Sequence, residues 1–443
     1  MPDEQSLQSA RRDRSIRLAV VTSFASKAGN ALLQLLAIPV AVRVLGREEF
    51  GIYGTVGIAL SIVAVLQAGI GPALAHGIAS AKARGGDAEA REWSSSAFFL
   101  SGGLALLAGL LLSALLLLLP LPWIFGEEFA GREDALRWGL WTGLLLFVLL
   151  FLLNLGDRLR EGLLEVSSNN LWGAAGNLAA ALMVGIGVHL VPEVWFLVLA
   201  VHGPLVLAKL CNLLSLWRHH PELRPLRSFF RPSVAKGLFT DGLAFSSCAL
   251  VAGVVECNLC GWLVGRSGGP SASALYSVFI QMTIMQLGLV MMLSTPTWPA
   301  VAEALARGDL AWAKRAAGRL YRYGGAFGLC AFAGLVLLGP WFFRFWLGAE
   351  FSGLPRSTFA GYGFYFAAHV WRHLNHTMMI ATGQVRFLAR IQFAESVLVA
   401  GVALLALKWG GMGSMFAAMA TTILVVSGTI LPWRVMRGML GRA

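Results

Sequence analysis

The chain has 443 residues, 57% of them hydrophobic and 13% charged, with a net charge of +12. A soluble protein carries roughly 25% charged residues, and this much apolar surface cannot be hidden from water in one core, so a soluble globular enzyme is excluded and the bilayer is the solvent. The basic residues lie between apolar runs rather than on a soluble domain, which reads as loop charge and not as a nucleic-acid surface; no nucleic-acid partner is expected.

In chain order, a basic stretch with Arg11, Arg12, Arg14 and Arg17 precedes an apolar segment from roughly Leu18 to Leu45, too long for the apolar part of a signal peptide and expected to be a retained first span. Span two runs from roughly Tyr53 to Ala81, span three from Ser94 to Leu119, stopped by Pro120 and Pro122, and span four from Leu136 to Leu155. A charged turn, Asp157 to Glu165, leads to span five, Asn170 to Val191, and span six, Val194 to Leu216. The longest polar interval, Arg218 to Lys236, has five basic residues and three prolines and reads as a connector between halves. Spans seven to twelve follow at roughly Leu238–Val264, Ser273–Pro296 (continuing as a polar-ended helix to Ala306), Tyr323–Leu338, Thr358–Ala381, Phe387–Leu407 and Gly413–Leu431. The expected organisation is therefore a six-helix bundle over 1–217, a cytoplasmic basic connector over 218–236 and a second six-helix bundle over 237–443.

Twelve spans put both termini on one side. With bases within about four residues of a span end counted to the adjoining turn, the N-terminus, the even-numbered turns and the C-terminus hold 24 Lys and Arg, the odd-numbered turns hold 8, and Lys27, Lys209 and Arg372 fall deeper inside spans. Positive-inside then places both termini in the cytoplasm. The halves also echo each other: Tyr53–Arg84 and Tyr276–Arg307 share an apolar run, prolines and a basic exit turn at equal length, although only 6 of 32 aligned positions are identical. Repeated halves with broken helices are a transporter architecture. Pro39, Pro72, Pro204 and Pro296 are each expected to break a helix locally.

Other chemistry is thinly represented. The five cysteines lie in apolar stretches, and the pair Cys257 and Cys260 reads as helix packing rather than as a zinc or redox site. There is no phosphate-binding glycine loop, no metal-binding His/Glu motif, and no turn long enough for a catalytic domain, so neither an enzyme nor a bound cofactor is expected. The acids of the third turn, Glu127, Glu128, Glu133 and Asp134, read as solvated charges.

The segment Leu45-Gly46-Arg47-Glu48-Glu49-Phe50-Gly51-Ile52-Tyr53 resembles the LG-x-E-x-[FY]-G-x-[YW] turn of O-antigen and polysaccharide-repeat flippases. Gly69-Ile70-Gly71-Pro72-Ala73-Leu74 is similar to the G-x-G-x-x-L segment that follows it there, and Tyr276 and Pro299-Ala300-Val301-Ala302-Glu303-Ala304 resemble the matching part of the second half. The resemblance, over nearly the whole chain, implies the multidrug/oligosaccharidyl-lipid/polysaccharide exporter (MOP) superfamily: an all-α polytopic membrane protein with about twelve helices in two pseudo-symmetric, MATE-like bundles around a central cavity, resident in the bacterial inner membrane. It implies alternating access, a polyprenyl-diphosphate-linked oligosaccharide of the kind used for lipopolysaccharide as cargo, a polysaccharide polymerase and a chain-length regulator as partners, and an H+ or Na+ gradient or the membrane potential as drive. The sequence departs from the pattern at Gln67, where family members often carry an acid, and at Asn258-Leu259-Cys260-Gly261, which stands where many carry N-x-D-[RK]; both changes remove charge.

A dianionic headgroup crossing hydrocarbon needs a wet, cationic path, so buried ionisable groups are the candidate site residues. Arg372 lies well inside span ten, and His369, His373 and His376 share its helical face at spacings of three, four and seven, a stripe suited to diphosphate or sugar. Lys27 in span one shares a face with Asn30 and Gln34, whose amides suit sugar hydroxyls, although a lysine so near the span's start can also snorkel to the interface, as Lys209 is expected to do. His76, after Pro72, matches a position where the family often has a basic residue. Glu256 and Asp241 in span seven are the coupling candidates, Glu256 either carrying a proton or pairing with Arg372. Two other readings stay open: a multidrug or cation antiporter of the same superfamily, for which buried acids would outweigh buried bases, and a membrane enzyme acting on the same lipid.

Overall fold

In lipid every backbone polar group must be satisfied within the chain, and long Leu/Ala/Gly-rich runs meet that demand as helices. The computed structural model describes residues 4–67, 70–240, 253–306, 308–348, 351 and 353–440, and every regular element among them is helical. The chain divides into two compact units, Met1–Ser247 and Cys248–Ala443.

The first unit contains α1 (Glu4–Leu45), α2 (Arg47–Gln67), α3 (Ile70–Ala83), α4 (Asp87–Leu118), the short α5 (Leu121–Phe125), α6 (Glu133–Gly162), α7 (Val166–Leu182), α8 (Val188–Leu190), reached through a π-turn at Met183–Gly187, and α9 (Val194–His219). A helix over 232–240, α10, follows the connector. α6 packs against α2, α3, α4 and α9, while α1 lies along α7. Their small residues allow close approach: the backbone of Gly29 in α1 runs beside Ala174 and Asn177 of α7.

Polar contacts sort the turns of this unit into two sets. Arg132 of the third turn donates to Glu49 (2.6 Å) and Glu48 (3.0 Å) of the first, and both turns meet Glu193 and Trp195 of the fifth around one cavity of about 670 Å³. The acids here are therefore partly engaged rather than simply solvated: Glu133 accepts from Arg137 at 2.6 Å, and burial, with Glu193 and Glu48 nearby, pushes the Glu49 carboxyl up despite Arg132. The second turn, the fourth turn and the connector form the other set. Lys82 donates to Asp87 (2.7 Å) and Glu222 (2.6 Å); His220 sits between Glu222 (3.2 Å) and Glu165 (3.1 Å); Arg160 donates to Glu165 at 2.5 Å. The alternation of turns read from charge is thus realised in this unit.

The connector is held rather than loose. Ser94 Oγ donates to the Leu223 carbonyl (2.6 Å), the Leu226 and Arg231 amides donate to Ser95 and Ser96 (3.1 and 3.0 Å), and Leu223 is buried in a cluster with Leu74, Ile78, Ala90, Leu155 and Leu159.

The second unit starts, among described residues, with the π-helical turn Val254–Leu259 and contains α11 (Cys260–Ala306), α12 (Leu310–Leu347), α13 (Arg356–Ala381) and α14 (Val385–Leu440). α11 and α14 are each two helices joined at a kink, at Gly269 (φ 68°) and Gly411 (φ 70°), a left-handed backbone that only glycine adopts at little cost. Among the described residues, eight helices are long and apolar enough to cross a membrane by length and composition. Two of these contain the kinks and so supply two spans each, and α2–α3 and α13, the latter made less apolar by its Arg/His/Asn stripe, complete about twelve. The prolines behave differently from expectation: α1 runs through Pro39 and α9 through Pro204, because a proline removes a single helix hydrogen bond, whereas the sharp turns fall at positive-φ glycines.

Candidate functional site

The most heavily buried group of charges is in the second unit. Glu256 lies on the π-turn before α11, where the widened backbone changes side-chain direction. Arg372 lies near the middle of α13, and Glu395 lies in the first half of α14. Arg372 grips Glu256 with both terminal nitrogens: Nη1 donates to Oε1 and Nη2 to Oε2 (2.9 Å). Nη1 also donates to Glu395 Oε1 at 3.0 Å. The side chains of Glu256, Arg372 and Glu395 are only 5%, 7% and 2% exposed.

The surroundings complete the shell. Tyr365 Oη donates to Glu256 Oε2 at 2.7 Å, the Tyr276 hydroxyl donates to the Glu256 carbonyl, and the Ser427 amide donates to Glu395 Oε2 at 3.1 Å. The Tyr276 ring stacks on Phe416, which also packs against Tyr362 and Tyr365, so the cluster is walled by aromatic rings. His369 Nδ1 lies 3.0 Å from Arg372 Nη2 and 3.4 Å from Glu256 Oε2. One nitrogen cannot serve both: it accepts from Arg372 when bare and donates to Glu256 when protonated. Two carboxylates share one guanidinium, so the cluster carries one negative charge in excess, which a proton on His369 or on a carboxylate would balance.

The four residues expected on one face of α13 are brought to three neighbours. His369 and Arg372 face Glu256, His373 Nε2 lies 2.9 Å from Ser294 Oγ of α11, and His376 Nδ1 lies 3.1 Å from Gln392 of α14. The guanidinium of Arg372 is occupied by carboxylates, not presented as a free cation. Lys27, Asn30 and Gln34 do share a face in the first unit: Gln34 Nε2 approaches Asn30 Oδ1 at 3.5 Å, and Lys27 and Asn30 are exposed, as is His76. Asp241 lies outside the described residues. Lys209 pairs with Asp157 at the start of the charged turn, which also accepts from Asn212 at 2.9 Å.

Glu395 has no place among the residues singled out from sequence. A signal for it exists: it is an acid inside an expected span, and it lies about as far after the Thr382–Gln384 turn as Arg372 lies before it. In an antiparallel helix pair, equal distance from the turn puts two residues level. Gln392 and His376 are matched across the same turn.

A chain of about twelve apolar helices in two units, with a charge cluster buried in one of them, is a polytopic membrane protein of the transporter type of fold. Residues 19–305 match the polysaccharide biosynthesis protein family, and the chain belongs to that family. Its structure is similar to the inward-facing conformation of a multidrug resistance MATE family transporter of the MOP superfamily (TM-score 0.77, 15% identity, 92% of this chain and 94% of that one). It is similar as well to a MOP superfamily transporter from Pyrococcus furiosus, described as having a binding pocket of reverse polarity (TM-score 0.66, 15% identity, 96% of each chain), and to a MATE in complex with MaL6 (TM-score 0.65, 15% identity, 97% and 96%). Comparison with curated protein sequences gives no match. The fold is therefore MATE-like, as the sequence implied.

Proposed function

We propose that the protein is a flippase that carries a polyprenyl-diphosphate-linked oligosaccharide repeat unit across the bacterial inner membrane by alternating access, without catalysing a reaction on it. The observation that carries this reading is the family match over residues 19–305 on a chain with a MOP transporter fold. Polysaccharide export units are assembled on lipid, and a transporter in that family needs a path for a dianionic headgroup. The exposed face of Lys27, Asn30 and Gln34, with His76, offers a cation and amides for diphosphate and sugar. The Glu256–Arg372–Glu395 cluster with His369 supplies the coupling step: its excess negative charge is taken up by a proton or a sodium ion, and uptake weakens the hold of the carboxylates on Arg372. His373 and His376 position α13 through Ser294 and Gln392.

The test is translocation of a fluorescent lipid-linked oligosaccharide in proteoliposomes, with equal incorporation checked for each variant. Wild type is expected to flip the lipid, Lys27→Ala to slow it at least about tenfold, as loss of a charge-assisted contact worth about 1.5–3 kcal/mol implies, and Glu256→Gln to abolish its response to an imposed ion gradient. Absence of flipping by wild type, together with gradient-driven efflux of an organic cation, would instead establish the antiporter reading, which the excess carboxylate favours.

A further inference from the structure

The two units treat their basic ends differently. In the first unit Lys82, Arg84, Arg158, Arg160 and Arg231 are ion-paired, and Arg91 and Arg224 donate to backbone carbonyls; of the described bases in these turns, Arg218, Arg227 and Lys236 make no ion pair or hydrogen bond to a described residue. In the second unit Lys314, Arg315, Arg319 and Arg322 of α12 and Arg386 and Arg390 of α14 are all exposed, and none makes an ion pair or hydrogen bond to a described residue. Asp309, beside them, is spent on capping α12 through the Trp312 amide at 3.0 Å.

These six cations lie in the first turns of two helices. Ala313, Ala316, Ala317 and Leu320 of α12 are buried in a cluster with Leu388 and Val435 of α14, so the helix starts are neighbours and the bases point outward around them. α12 has 38 residues and is about 57 Å long, against a hydrocarbon layer of about 30 Å. Its first turns therefore project into the headgroup zone as an amphipathic stretch, with the exposed Tyr323 at the level where aromatic side chains gather.

We infer that this end of the second unit is a docking surface for anionic phospholipid headgroups. From Lys314 to Arg322 the bases run about 12 Å along α12, with Arg386 and Arg390 on a second helix, a spread that fits several phosphodiesters of a leaflet better than a single ligand. Each base near an anionic membrane surface adds affinity, and the attraction falls off within a Debye length.

The purified full-length chain in detergent, titrated with phosphatidylglycerol, phosphatidylcholine or inorganic pyrophosphate, tests this by thermal midpoint and by native mass spectrometry of retained lipid. Wild type is expected to retain phosphatidylglycerol, to melt several degrees higher with it than with phosphatidylcholine, and to lose the difference at high salt. The K314Q/R315Q/R319Q/R322Q variant should need at least about tenfold more phosphatidylglycerol for the same shift; R386Q/R390Q, on the other helix, should show a smaller loss. Equal response of wild type to both lipids, or unchanged phosphatidylglycerol binding by both variants, would overturn the inference. So would pyrophosphate matching the lipid's effect, which would assign the bases to a soluble diphosphate group.

Discussion

Arg372 is a cation whose surroundings have been built to neutralise it. Taking a guanidinium and two carboxylates out of water is costly, and the cost is offset only when every partner is in place. Arg372→Met should therefore destabilise the protein by about 3–5 kcal/mol, because Glu256 and Glu395 would be left buried together without a counter-charge. Adding Glu395→Gln to Arg372→Met should recover part of that loss. Denaturant unfolding in micelles measures the coupling; effects that add within about 0.5 kcal/mol would mean that the two residues do not interact. At the same scale, helical spacing puts Arg372 on one face with His369, His373 and His376, and residue chemistry offers Glu256 either as a proton carrier or as the partner of Arg372. It could not show that the arginine is already occupied, because Glu395 comes from another helix.

Elements in this protein are placed by backbone proximity as much as by side chains. Gly361 of α13 faces Gly413 of α14 so closely that a Cβ would sit 2.1 Å from the Gly413 carbonyl oxygen, an atom that cannot move without moving its helix. Gly361→Ala should push α13 from α14 and lower stability by more than the about 1–3 kcal/mol typical of overpacking; Gly401→Ala, with open space at its Cβ position, is the matched control, and equal melting of the two variants would refute the close crossing. The connector is an element of another kind, held by charge. Burial alone would raise the Glu222 carboxyl, but hydrogen bonds from Lys82, the backbone and His220 hold it below its ordinary 4.5. Burial alone would lower the Lys82 amine, but Asp87 and Glu222 raise it above 10.5. A depressed carboxyl stabilises above its unfolded value and loses that contribution as pH falls through the folded one; a raised amine does so below its unfolded value and loses it as pH climbs. The clamp should thus hold between about pH 5 and 10. Hydrogen exchange at the Leu226 and Arg231 amides, corrected for intrinsic rate, should accelerate below about pH 4; constant protection down to pH 3 would show that the serine contacts suffice without the charges.

For the molecule as a whole, the MATE-like fold and the family together make translocation of a lipid-linked glycan the reading to test, and the proteoliposome assay does so at the scale where function resides. The outcome for Lys27→Ala matters most there. Lys27 is exposed and makes no ion pair or hydrogen bond to a described residue, so its loss should reduce transport without the unfolding that complicates Arg372 variants.

The span count, the alternation of basic turns and the polar stripe on α13 were all present in the one-dimensional sequence, because hydropathy, loop charge and helical period act along the chain. Tertiary structure alone decided which charges meet. The Arg372–Glu256 pair is 116 residues apart and the Lys82–Glu222 pair 140, and no local pattern links such positions. It also decided where helices turn: chemistry marked the prolines, yet Gly269 and Gly411 make the sharp kinks. A proline costs a helix one hydrogen bond and a small bend. A left-handed φ redirects the whole chain, and whether a glycine adopts it depends on what the following helix packs against.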